Sequence, residues 1–148
     1  MPLGNRILVL SVISWALAQI AKGFIQRITE GYFSREKFIA SGGMPSSHSA
    51  LVTCCATTTG MLYGFDSGLF AIACLFAIVT MYDATHVRRS SGEQAKVLNE
   101  LLKNIPEEMG PNLIHQEIKV VMGHTVLQVF FGALLGFSVG MIGVELFR

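Results

Sequence analysis

The sequence predicts an all-α integral membrane bundle, with about four transmembrane helices plus one amphipathic helix on the cytoplasmic side. Three observations predict it. Of 148 residues, 51% are hydrophobic and only 14% charged, against about 25% charged in soluble domains. Mean hydropathy is +0.53. The apolar residues fall into runs close to membrane-spanning length, about 20 residues. At 148 residues there is room for one domain, so residues 1–148 read as a single membrane-embedded unit. The low charged fraction excludes a disordered chain, and a net charge of +1 gives no basic footprint for nucleic acid. Cys54, Cys55 and Cys74 form no CxxC and lie inside apolar runs, as small buried residues do.

Residues 3–25 are apolar apart from Arg6 and Lys22 near the ends. Gln19 and Lys22 stand where a signal peptide would be cleaved, so this run reads as an uncleaved first span. Residues 26–47 are polar, with Arg27, Glu30, Arg35, Glu36 and Lys37, and end in the loop Ser41-Gly42-Gly43-Met44-Pro45-Ser46-Ser47. Segments 49–65 and 67–82 are parted only by Asp66 and its neighbours, a break that allows nothing but a tight turn. They form an antiparallel helical hairpin. Beyond Asp83, polar Glu93, Gln94, Lys96, Glu100 and Lys103 alternate with Ala95, Val97, Leu98, Leu101 and Leu102 at helical spacing. That pattern predicts an amphipathic helix of about four turns outside the hydrocarbon, stopped by Pro106 and Pro111. Residues 120–147 supply the fourth span.

Parity then gathers the polar residues. The 26–47 loop, the 83–119 segment and the four helix ends beside them share one compartment. That side carries Lys22, Arg27, Arg35, Lys37, Arg88, Arg89, Lys96, Lys103 and Lys119, while the other carries Arg6 and Arg148. Positive charge marks the nine-residue side as cytoplasmic. The ionisable residues at its membrane face are functional candidates by their cost alone. They suit a phosphate. Gly-Gly-Met-Pro-Ser-Ser before a helix gives a serine cap and free N–H groups at the positive end of a helix dipole. Lys22 and one or both of Arg88 and Arg89 can neutralise phosphoryl oxygens. His48 and His124 can divide the work of acid and nucleophile. Gln128, four residues past His124, is placed to accept its Nδ1–H and direct Nε2 at phosphorus.

Three strings, GGMPSSHSA, MYDATHVRRSSGEQAKVLN and GHTVLQVFFGALLG, resemble the divergent branch of the type-2 phosphatidic acid phosphatase superfamily. That superfamily includes bacterial acid phosphatases and vanadium haloperoxidases, and the resemblance runs from about Ala18 to Gly140. Pro45-Ser46-Ser47-His48 corresponds to the Pro-Ser-Gly-His motif, with serine for glycine. The resemblance implies that Ser46 and the Ser47 main chain bind phosphate and that His48 protonates the leaving oxygen. It makes His124 the nucleophile that forms a phosphohistidine. Gln128 falls where the motif has aspartate, Lys22 stands for the first motif's lysine without a following Arg-Pro, and Ile118 and Glu117 occupy the Ser-Arg positions.

Two functions are therefore expected of one phosphatase-like domain. One is an acid-phosphatase-type hydrolase acting on a lipid-linked or interfacial phosphomonoester, with phospholipid and prenyl phosphate as substrate classes. The other is a non-catalytic binding or scaffold protein retaining a degenerate phosphate pocket. No cofactor or metal is expected, since no carboxylate cluster would hold one. Membrane lipid is the expected partner. Gly132, Gly136 and Gly140 on span four and Ala50, Cys54 and Thr58 on span two form small faces that predict close helix packing, and a homo-oligomer through either is compatible. Of two readings for Asp83, pairing with the arginines is preferred over capping. His86 and His115 read as solvated, and Asn99 receives no role.

Overall fold

The computed structural model describes residues 3–31, 43–104, 118, 120 and 123–147. Arg35, Glu36, Lys37, Ser41, Gly42, Pro106, Pro111, His115 and Lys119 lie outside these. The described residues are helical, with connecting turns. Helix α1 is Leu3–Glu30, α2 is Ser47–Tyr63 and α3 is Gly68–Tyr82. A π-helical turn, Asp83–Val87, leads into α4, Arg88–Lys103. Helix α5 is Val126–Leu146.

Helix α1 runs past the expected end at Ile25 because nothing breaks it before Gly31. That residue takes φ 76° and donates its N–H to the Arg27 carbonyl at 3.2 Å, a left-handed stop. Helix α2 starts on Ser46, whose hydroxyl accepts the Ser49 N–H, and ends at Gly64, φ 94°. Ser67 caps α3 by accepting the Phe70 N–H at 3.2 Å, and the hairpin turn is four residues long, a tight turn as the sequence predicts. The apolar run from Val120 does not begin α5. Thr125 is its N-cap, with extended dihedrals, and Gly123 and His124 stand outside the helix.

Contacts between helices set their directions. A side chain at Gly132 or Gly136 would meet the carbonyls of Ser46 and Ala50, and one at Gly140 would meet Thr57 and Cys54, so α5 and α2 run parallel. Leu10 packs with Cys54 and Val144, while the Lys22 stem lies against Gly43, so α1 runs antiparallel to both. The end of α1, the start of α2, the end of α3 and the start of α5 share one end of the bundle. That is the parity the sequence predicts.

The interior is made of small and hydroxylated residues. Ser14, Ala50, Cys54 and Thr58 are fully or almost fully buried, and the Ser14 hydroxyl donates to the Ala50 carbonyl across the α1–α2 contact at 3.1 Å. Lipid tails are as apolar as leucine, so helices in a bilayer gain from close packing and interhelical hydrogen bonds rather than from burying large apolar side chains. Those side chains face outward: in α3 only Ala77 is buried, while Ile72, Leu75, Phe76, Ile78 and Val79 are exposed.

Asn5–Thr29, Gly68–Lys103 and Val126–Leu146 are long and apolar enough to cross a membrane. Helix α2, with 17 residues, is the shorter central helix on which α1, α3 and α5 pack. The 36-residue run Gly68–Lys103 would extend about 54 Å at 1.5 Å per residue. A hydrocarbon core is about 30 Å thick. Its second half, the amphipathic α4, therefore projects beyond the bilayer as one helix with the third span, a continuity the sequence alone did not reveal.

Candidate functional site

The start of α5 fixes His124. Thr125 and Gln128 make a capping box: the Thr125 hydroxyl accepts the Gln128 N–H at 3.3 Å, and the Gln128 side-chain oxygen accepts the Thr125 N–H at 3.1 Å. The amide cannot be reversed, because an NH2 group has nothing to accept a main-chain N–H with. The same Oε1 lies 3.1 Å from Nδ1 of His124, so Nδ1 carries the proton and donates it. Nε2 then holds the lone pair. It is buried, in a residue only 3% exposed, and takes no hydrogen bond among the described residues. A buried polar atom without a partner asks for a ligand or water.

Gln128 also ties the second motif to the third. Its main-chain carbonyl accepts the Ser46 N–H at 3.0 Å. One residue thus holds the start of α2 through its backbone and the His124 tautomer through its side chain. Ser46 and Ser47 are buried, and the Ser46 hydroxyl is engaged with the N–H and hydroxyl of Ser49. The Ser47 and His48 N–H groups remain the donors of the first turn of α2.

The π turn supplies the other anchor. Inside it the main chain bonds i to i+5, as in Arg88 N–H to the Asp83 carbonyl. The Ala84 carbonyl is directed instead at the His124 N–H, at 2.9 Å. Gly123 passes so close that a Cβ there would stand 2.5 Å from the Arg89 nitrogen and 2.8 Å from the Ala84 oxygen. Only a glycine lets the chain dock here.

Between these anchors lies a cleft lined by His48, Thr80, Asp83, Ala84, Arg88, Gly123 and His124. The structure therefore brings together His48 from the start of α2, Arg88 from the start of α4 and His124 from just before the α5 cap. His48 is exposed where His124 is buried. Arg88 donates from Nε to Asp83 Oδ2 at 2.6 Å, the pairing preferred from the sequence. Arg89 is not on the cleft wall: its Nε turns to Glu93 at 3.2 Å on the exposed side of α4. Lys22, Ser46, Ser47 and Gln128 are not among the lining residues. Burial pushes the His124 imidazole below its ordinary pKa. The Gln128 hydrogen bond opposes the shift, and the positive neighbours Lys22, His48 and Arg88 reinforce it. The neutral, lone-pair-bearing form is favoured.

Residues 3–139 match the family described as the Divergent PAP2 family. The chain belongs to that family. It is also similar to a Bacillus subtilis (strain 168) protein described as the uncharacterized membrane protein YuiD, with 37% identity over 150 residues, covering 95% of this chain and 94% of that one. No solved structure matches it significantly.

In this Divergent PAP2 protein the sequence reading passed over three contributors. Asn99 forms a two-way bridge to Ile118, Nδ2 to its carbonyl and Oδ1 to its N–H, both at 2.9 Å, tethering α4 to the chain that leads to His124. Gly123 owes its role to a close approach, and Ala84 to the π turn; neither has a local sequence signal. Asn99 offered one in hindsight, as an uncharged amide inside the amphipathic helix pattern.

Proposed function

We propose that the protein is a multi-pass membrane phosphatase in which residues 1–148 act as one domain. Its substrate is a lipid-linked or interfacial phosphomonoester, such as a phospholipid or prenyl phosphate. The carrying observation is the His124 Nε2 lone pair, fixed by Gln128 and without a hydrogen-bond partner among the described residues, in a cleft shared with His48 and Arg88. The site faces the cytoplasm in this reading, supported by the nine-to-two distribution of Lys and Arg.

The lone pair of Nε2 attacks phosphorus, forming the N–P bond as the P–O ester bond breaks. His48, entering as imidazolium, gives its proton to the departing oxygen. Phosphorylated His124 keeps its Nδ1–H and is positively charged, a charge that the Gln128 carbonyl dipole faces. Neutral His48 then takes a proton from water as its oxygen attacks phosphorus. The N–P bond returns its electrons to Nε2, and phosphate leaves. Arg88, with Lys22 and the first-turn N–H groups of α2 behind it, stabilises the equatorial oxygens.

One observation favours the non-catalytic alternative: Gln128 offers the imidazolium a dipole where the superfamily motif offers a charge. The deciding experiment is phosphatase assay of detergent-solubilised protein on a panel of lipid phosphates, with His124→Ala as control. Turnover that His124→Ala abolishes supports the enzyme. Vanadate or phosphate binding without turnover of any member of the panel supports the scaffold.

A further inference from the structure

Among the described residues, Asp83 is the one carboxylate on the wall of a cleft suited to an anion. Its charge would repel a phosphoryl group unless it serves another purpose. Its contact with Arg88 spans five residues of sequence. On an α-helix, positions five apart lie about 140° around the axis at 3.6 residues per turn, and only three- and four-residue neighbours meet. The pair meets because the π turn Asp83–Val87 closes an i to i+5 ring, in which Arg88 N–H also bonds the Asp83 carbonyl. Main chain and side chain of residue 88 are thus both held by residue 83. The side-chain bond uses Nε alone, and the terminal amino groups of Arg88 take no hydrogen bond among the described residues. A guanidinium held at Nε keeps its outer edge for a second acceptor, in the forked geometry that suits a phosphate. The two side chains are 46% and 36% exposed, and an ion pair that open adds little stability. Its contribution is therefore to orientation.

We infer that Asp83 is a positioning residue for phosphoryl binding: through the π turn it holds Arg88 by Nε and presents the guanidinium's terminal nitrogens to the cleft. This rests on the phosphate-site reading above and adds a partner to it.

The test is orthovanadate affinity of the full-length detergent-solubilised protein, measured calorimetrically for wild type, Arg88→Ala, Asp83→Ala, Asp83→Asn and Asp83→Ala/Arg88→Ala. Circular dichroism of each confirms the fold. Arg88→Ala should weaken binding about 10-fold or more, the usual scale for a charged hydrogen bond. Asp83→Ala should weaken it several-fold, and the double variant no further than Arg88→Ala, since Asp83 acts only through Arg88. Asp83→Asn should recover most of the loss, because its amide oxygen still accepts Nε–H. Unchanged or tighter binding in Asp83→Ala overturns the inference, with the carboxylate then a competitor of the anion. Full additivity in the double variant overturns it also. A wild type that binds no vanadate fails earlier, at the phosphate site itself, and takes the inference with it.

Discussion

The two walls of the cleft are built on opposite principles. The α5 wall is buried and over-determined: His124 is held by the Ala84 carbonyl on its N–H and by Gln128 on Nδ1, and Gln128 is held in turn by Thr125 and Ser46. Beneath it, Gly132 and Gly136 bring α5 to the main chain of α2. The wall at the end of α3 is open. Arg88, Asp83 and His48 are partly or well exposed, and α3 shows most of its surface to lipid. The difference separates two demands of phosphoryl transfer. A nucleophile gains from being fixed in tautomer and position before the substrate arrives. The groups that meet the substrate's oxygens and release its leaving group need access to water and to the membrane interface.

The largest effect is expected from removing the fixed nucleophile. His124→Ala should reduce hydrolysis of any accepted phosphomonoester to background and sharply weaken vanadate binding, measured by phosphate release and by titration. On the open wall, His48→Ala should lower turnover about 10²–10⁴-fold, the range for a general acid, yet spare more of the vanadate affinity. Equal losses of binding in the two variants would erase the contrast between the walls.

Next comes the packing under the fixed wall. Gly136→Leu drives a side chain into the Ala50 carbonyl and should destabilise the bundle by about 1–3 kcal/mol or more, the scale of overpacking. Ile72→Ala, on the lipid-facing side of α3, should change thermal unfolding in detergent far less. Comparable melting losses would show that α3 packs as tightly as α5.

The smallest effect is on pH dependence. Burial holds the His124 pKa below its ordinary value, about 6.5, so function that needs the neutral ring should persist as pH falls past 6.5 and fade only near the lowered value of the folded protein. Folding stability should begin to decline earlier, as pH falls from about 6.5 toward that lowered value, because over that interval the unfolded chain takes up a proton that the buried ring resists. Gln128→Glu keeps the reach of the side chain and adds a charge. It should raise the rate and move the acid limb to higher pH, as a carboxylate favours the imidazolium. A pH–rate profile unmoved by Gln128→Glu would detach Gln128 from His124.

Much of this was legible in the sequence. Apolar runs and the serine cap before α2 place the helices, although α1 runs on to Glu30 and α5 begins only at Val126. Parity alone carries His48, Arg88 and His124 to one end of the bundle, and the four-residue step from His124 to Gln128 foretells their hydrogen bond. Membership in the Divergent PAP2 family was readable from three separated strings. The π turn was not, because Asp-Ala-Thr-His-Val has ordinary helical propensity and its widened ladder answers to His124 docking on Ala84. Arg88 and Arg89 were indistinguishable for the same reason: which of two adjacent arginines faces the cleft depends on helix phase, and the π turn resets it.

The central claim is a covalent phosphohistidine at residue 124, and trapping it is the most direct test. Full-length protein in detergent would be mixed with a phosphomonoester lipid carrying labelled phosphate, quenched in alkali during turnover, and mapped by peptide. The expected result is an alkali-stable, acid-labile label on the peptide containing His124, absent from His124→Ala and enriched in His48→Ala if hydrolysis of the intermediate is slowed more than its formation. A label on a serine, or turnover that survives His124→Ala, would contradict the account.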